Sequence, residues 1–103
     1  MQGLYPGCVS PVKTTLVVET DDAAFDLSTA TAGRILARFA DGQSATWEAD
    51  LSDESATAIT LTREHEAADV PAGTEGVVYL SAEVDIPAGT VRTNRMAATV
   101  LKL

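Results

Sequence analysis

Residues 74–86 read TEGVVYLSAEVDI, and this stretch decides the fold. Val78, Leu80, Ala82, Val84 and Ile86 occupy every second position, with Val77, Tyr79, Ser81, Glu83 and Asp85 between them. A period of two belongs to a β-strand with one buried face. Pro87-Ala88-Gly89 supplies the turn that ends it. The same signature recurs upstream. Residues 44–51 set Ala45, Trp47, Ala49 and Leu51 against Thr46, Glu48 and Asp50, which makes Trp47 the expected centre of the core. Residues 13–20 set Leu16 and Val18 against Thr15, Val17 and Glu19, and residues 56–64 set Ile59 and Leu61 against Thr60 and Thr62. Residues 90–94 and 96–103 complete the series.

Residues 29–39 admit two readings. Ala32, Ile35, Leu36 and Phe39 have helical spacing, whereas Ile35, Ala37 and Phe39 also fit a strand with Arg34 and Arg38 facing outward. Two features favour the strand. Gly33 near a helix start would cost up to about 1 kcal/mol against Ala. Asp41-Gly42 stands between two alternating runs, which is a hairpin signal. The expectation is an all-β, antiparallel β-sandwich of about seven strands over residues 13–103.

Residues 1–12 do not alternate. Gly3, Pro6, Gly7 and Pro11 disfavour regular pairing, yet Leu4, Tyr5 and Val9 are apolar beyond the needs of a solvated tail. This segment reads as an extended N-terminal arm, either frayed or docked on a partner subunit. On that reading, removing residues 1–12 leaves the sandwich folded.

With 103 residues the chain is one domain, large enough to bury a core without metal or disulfide. The 46% hydrophobic share contains only 5% aromatic residues, so Val, Leu, Ile and Ala must fill most of that core. Ala is a poor strand former, so some strands are expected to lean on a neighbouring subunit. The net charge of −8 repels phosphate backbones and anionic lipid, which argues against direct nucleic-acid binding. Cys8 is the single cysteine, which excludes an internal disulfide and favours assembly in a reducing cytoplasm. The start, MQGLYPGCVS, lacks the basic and apolar regions of a signal peptide, and no segment approaches the roughly 20 apolar residues of a membrane span.

Catalytic and metal chemistry find no assembled set of roles. His65, the one histidine, lies between Glu64 and Glu66 and reads as an exposed residue at a strand end. Asp21, Asp22 and Asp26 form one acidic group and Asp50, Asp53 and Glu54 another, but neither has the order of a calcium loop. Turn formation and solubility explain both. No Gly-rich phosphate loop or Cys/His metal spacing occurs. No catalytic residue, cofactor site or metal site is therefore expected, and the chain is not expected to be an enzyme.

The order of the turn motifs carries a resemblance. Asp26-Leu27-Ser28-Thr29-Ala30-Thr31, Asp41-Gly42, Trp47-Glu48-Ala49-Asp50-Leu51, Val70-Pro71-Ala72-Gly73-Thr74, Ala82-Glu83-Val84-Asp85 and Gly89-Thr90-Val91-Arg92-Thr93-Asn94 follow one another. This layout resembles the immunoglobulin-like domain of tailed-phage and prophage structural proteins, and is similar to the N-terminal domain of baseplate upper proteins. The resemblance covers residues 14–103. It implies a virion component of tail, baseplate or neck, assembled in the host cytoplasm without cofactor. Its partners would be other virion proteins and copies of itself. Baseplate upper proteins continue into a fibre-holding region where this sequence stops, which leaves a capsid-decorating protein as an alternative. A carbohydrate or cell-surface binding module is a further one, and burial of Trp47 would count against it. Leu4, Tyr5, Val9, Val77 and Tyr79 are the candidate interface residues.

Overall fold

The computed structural model describes residues 4–93 and 95–102. The strands form where the period-two pattern places them. They are β1 (Lys13–Glu19), β2 (Ala32–Arg38), β3 (Ser44–Ser52), β4 (Ala58–Glu64), β5 (Gly76–Ile86), β6 (Gly89–Arg92) and β7 (Met96–Val100), with one 3-10 turn at Leu27–Thr29. The 29–39 segment is thus a strand. Its hairpin to β3 closes through Phe39 N–H to the Gln43 carbonyl at 2.8 Å, with Gly42 at φ +91°.

All pairings are antiparallel, in the order β1-β4-β3-β2-β5-β6, with β7 also on β5. The result is one seven-stranded sheet that curls into a half-barrel. β3 is the corner. Its residues Ser44–Ala49 pair with β2, and Asp50–Ser52 pair with β4. Gly33 makes this corner possible, because a Cβ there would lie 2.7 Å from Leu51 Cδ2 and 3.0 Å from Leu61 Cδ2. β5 is long enough to take β7 along its first half and β6 along its second.

The concave side is the core. Val18, Ile35, Ile59, Leu61, Val78 and Val84 have no exposed surface, and Trp47 is 2% exposed. Each such side chain contributes about 1.5–3 kcal/mol of apolar burial. Phe39 packs tilted against Trp47 at 6.3 Å between ring centroids.

Residues 4–12 differ from the expected arm. Leu4, Cys8 and Val12 are buried, and Tyr5 packs on the core. Leu4 makes a parallel bridge to Val100, Gly7 N–H donates to the Val70 carbonyl, and Ser10 N–H donates to the His65 carbonyl. His65 N–H returns a bond to Val12. The segment is a strap from β7 to the end of β4. Its prolines and glycines prevent regular pairing but not these single bonds, and Leu4, Cys8 and Val12 belong to this chain's own core, whereas Val9 stays exposed. Residues 1–3 lie outside the described residues. Among the described residues, no helix is long and apolar enough to cross a membrane.

Candidate functional site: the outer face of the sheet

Alternation sends the polar residues of β2, β3, β5 and β7 to the convex face, and the register aligns them in rows. Ser44, Arg38, Tyr79 and Ala97 form one row, and Thr46, Leu36 and Ser81 the next. Glu48, Arg34, Glu83 and Arg92 form a third, of alternating charge. Cross-strand neighbours of opposite charge stabilise a sheet.

The third row is closed upon itself. Arg34 Nε donates to Glu83 at 2.9 Å, and its two terminal nitrogens donate to Asp85 at 3.0 and 2.9 Å. Arg92 takes the other Glu83 oxygen at 2.5 Å. Hydrogen bonds to Asp85 and Glu83 hold the Arg34 pKa above its ordinary range. Arg34, then Thr90, hold the Asp85 carboxyl below its own. Glu83 is only 9% exposed beneath the two guanidinium groups.

The first two rows remain open. Tyr79 is 43% exposed and Val77, one row further out, 47%. The Arg95 guanidinium lies 4.9 Å from the Tyr79 ring centroid, a cation–π contact. Leu36, Arg38, Thr46, Tyr79, Ser81 and Arg95 line a shallow depression of about 260 Å³. Among the described residues neither Arg38 nor Arg95 has a carboxylate within ion-pair distance. Two of the few basic groups of an acidic chain thus flank an exposed tyrosine.

Of the five candidate interface residues, Val77 and Tyr79 meet here. Val9 is exposed on the strap, 48% accessible, whereas Leu4 is buried and Tyr5 partly so. Leu4 lies in the core, and Tyr5 packs against it while staying partly exposed.

Asp22 and Asp26 of the first acidic group form turns, whereas Asp50 of the second lies within β3 and Asp53 takes a left-handed φ of 50° after it. Asp22 Oδ1 accepts Ala24 N–H at 2.9 Å, and Asp26 Oδ1 accepts Ser28 N–H at 3.0 Å. A second depression of about 590 Å³ adjoins Glu19, Asp21, Asp22, Phe25 and Arg92. No three His, Cys, Asp or Glu groups among the described residues are placed to hold a metal ion.

His65 is the main departure from the sequence reading. It is not exposed at a strand end: its ring is fully buried, edge-on to Trp47 at 4.6 Å. Nδ1 is 3.0 Å from Asp69 Oδ2, and Nε2 is 2.7 Å from Thr14 Oγ1. Arg63 grips the same carboxylate at 2.9 and 2.8 Å, and Glu66 N–H donates to it at 3.1 Å. Burial alone would raise Asp69, but Arg63, the Glu66 amide and His65 outweigh it and hold the carboxyl low. An ionised carboxylate only accepts, so Nδ1 carries the proton and, in the neutral ring, Nε2 accepts from the Thr14 hydroxyl. Burial pushes His65 below its ordinary value, with Asp69 opposing. The line of hydroxyl, imidazole and carboxylate has the order of a nucleophile, base and orienting acid. Here the imidazole has no exposed surface, and the cluster joins β1, β4 and the turn at Glu66–Asp69. Asp69 four residues after His65, with Arg63 before, is the signal in the sequence that could have revealed it.

No family model, curated protein or solved structure matches the chain.

Proposed function

We propose that this chain is a non-enzymatic assembly module of a tailed-phage or prophage particle, working by contact between protein subunits. The observation that carries the reading is the outer face of β2, β5 and β7. Val77 and Tyr79 lie exposed beside Arg38 and Arg95, while Ile35, Trp47, Ile59 and Leu80 on the concave side are buried in the core. An apolar and aromatic patch flanked by arginine has the composition of protein interfaces.

The finer fold assignment belongs with this reading. β1 with β4, and β2 with β5, β6 and β7, are two strand groups joined through β3. That grouping, with Leu4 parallel to Val100 at the edge, supports an immunoglobulin-like two-layer arrangement. The order of turn motifs resembling phage domains supplies the setting.

A carbohydrate-binding role fits less well. Trp47 is buried, and one face of the exposed Tyr79 ring is already covered by Arg95. Sugar stacking needs an open aromatic face.

The test is the composition of particles released from the source cell after prophage induction. Peptide mass spectrometry of gradient-purified particles is expected to find the chain at a fixed copy number. Its absence from particles while abundant in the lysate would refute the assignment.

A further inference from the structure

We infer that two copies of this chain pair through the open edge of β1, antiparallel and about a two-fold axis at Leu16. The inference deepens the assembly reading and rests on it for its purpose, but its geometry is independent of the outer face.

β1 is an edge strand. Among the described strands it pairs with β4 alone, in unbroken register from Lys13↔Glu64 to Glu19↔Ala58. Two hydrogen bonds just beyond its ends fix which way each backbone group points. His65 N–H donates to Val12 at one end, and Thr20 N–H donates to Thr57 at the other. In an antiparallel pair, residues directed at the neighbour alternate with residues directed away. Thr14, Leu16 and Val18 therefore face β4. Lys13, Thr15, Val17 and Glu19 turn their N–H and C=O groups off the open edge, and their side chains are exposed.

Natural edges of this length are guarded by a bulge, a proline or a charge in mid-strand. β1 has none of these. Its register shows no bulge, Pro11 precedes it, and its middle is Thr15-Leu16-Val17 with Val17 53% exposed. The charges sit at the two ends, opposite in sign. That placement selects the occupant. When β1 meets a second β1 antiparallel about Leu16, Lys13 of each copy stands opposite Glu19 of the other. Thr15 then stands opposite Val17, and the four outward residues form hydrogen-bonded pairs, each exchanging two bonds. A parallel pairing would oppose Lys13 to Lys13 and Glu19 to Glu19, which is destabilising. A two-fold interface requires such self-complementarity, and a foreign strand does not.

The test is the mass of the full-length protein by sedimentation velocity across a concentration series, at physiological ionic strength. There a screening length of about 8 Å damps the repulsion between two acidic bodies. The expected result is a reversible dimer, twice the 10.7 kDa protomer mass. Lys13→Glu should weaken it roughly tenfold, by turning two attractive end pairs into repulsive ones, each pair counting up to about 1 kcal/mol either way. The swap Lys13→Glu with Glu19→Lys should restore it. Both side chains are exposed, so folding is not at stake. Amide hydrogen exchange gives a second readout: Thr15, Val17 and Glu19 should gain protection in the dimer. A monomer at every concentration would overturn the inference while leaving particle incorporation standing. So would a dimer indifferent to Lys13→Glu, because its contact would lie elsewhere.

Discussion

Nδ1 of His65 and Oδ2 of Asp69 lie 3.0 Å apart, four residues apart in the chain, with the imidazole fully buried. The contact joins the end of β4 to its following turn, and Thr14 on the far side of the ring extends it to β1. The two groups set the acid response of the fold. Burial holds folded His65 below its ordinary value of 6.5, so below that pH the unfolded chain binds the proton first. Stability should therefore fall as pH drops from about 6.5 towards the folded value. Asp69 and Asp85 are held below the ordinary 3.8. Their contribution is present above that value and lost as pH falls through their folded values. Urea midpoints measured against pH should decline in two stages, and His65→Gln should remove the first stage alone.

Asp69→Asn tests the same cluster at neutral pH. It leaves the Arg63 guanidinium and the buried imidazole facing a neutral amide. The expected loss is about 2–3 kcal/mol by urea unfolding, in the range for breaking a buried hydrogen-bonded charge pair. A change below about 0.5 kcal/mol would mean that the cluster does not clamp the fold.

Removal of residues 1–12 should destabilise the chain rather than trim an arm. It strips Leu4, Cys8 and Val12 from the core and the strap's bonds to Val70, His65 and Leu101. At roughly 1.5–3 kcal/mol per buried apolar side chain, the loss should exceed about 3 kcal/mol. Thermal unfolding followed by circular dichroism should show a fall of more than about 12 °C. An unchanged melting temperature would return the segment to the status of a loose arm.

Trp47 separates packing from hydrogen bonding. Its Nε1–H is buried with no acceptor among the described residues. Trp47→Phe removes that unpaired donor along with part of the ring, so the two effects offset and the cost should stay below about 1.5 kcal/mol. Trp47→Ala opens the cavity in full and should cost about 3–5 kcal/mol. Equal losses in the two variants would contradict the unpaired donor.

Gly33 should resist even alanine. The added methyl would press on Leu51 and on fully buried Leu61, where β3 leaves β2 for β4. A cost of about 1–3 kcal/mol in urea unfolding is expected from overpacking. A neutral Gly33→Ala would show that the corner yields.

The sequence made the strands legible because each carries its own period. The run ending at Leu51 predicted both a strand and a buried Trp47, and Asp41-Gly42 marked the hairpin that joins β2 to β3. Pairing order was not legible. Nothing local in Asp50–Ser52 says that β3 changes partner there. The strap was misread because Gly and Pro density reports on local regularity, whereas Leu4 is held by Val100 at the opposite end of the chain. His65 was misread because Glu64 and Glu66 beside it are exposed, and its burial depends on Asp69 and Arg63 folding over it. On the outer face, alternation marked Val77 and Tyr79, but Arg38 joins them only through strand register, and Arg95 only where the chain enters β7.

The proposed role in a particle rests on the outer face around Tyr79. The direct measurement is a competition. Wild-type chain and a Val77→Asp, Tyr79→Asp variant are produced together in equal amounts during particle assembly, and their ratio in purified particles is read by peptide mass spectrometry. Both substitutions lie on exposed positions, so the free pool should stay balanced. Particles should be enriched at least about tenfold in the wild-type chain, as loss of an interface contact of about 1.4 kcal/mol or more requires. Equal incorporation of the two chains would contradict it.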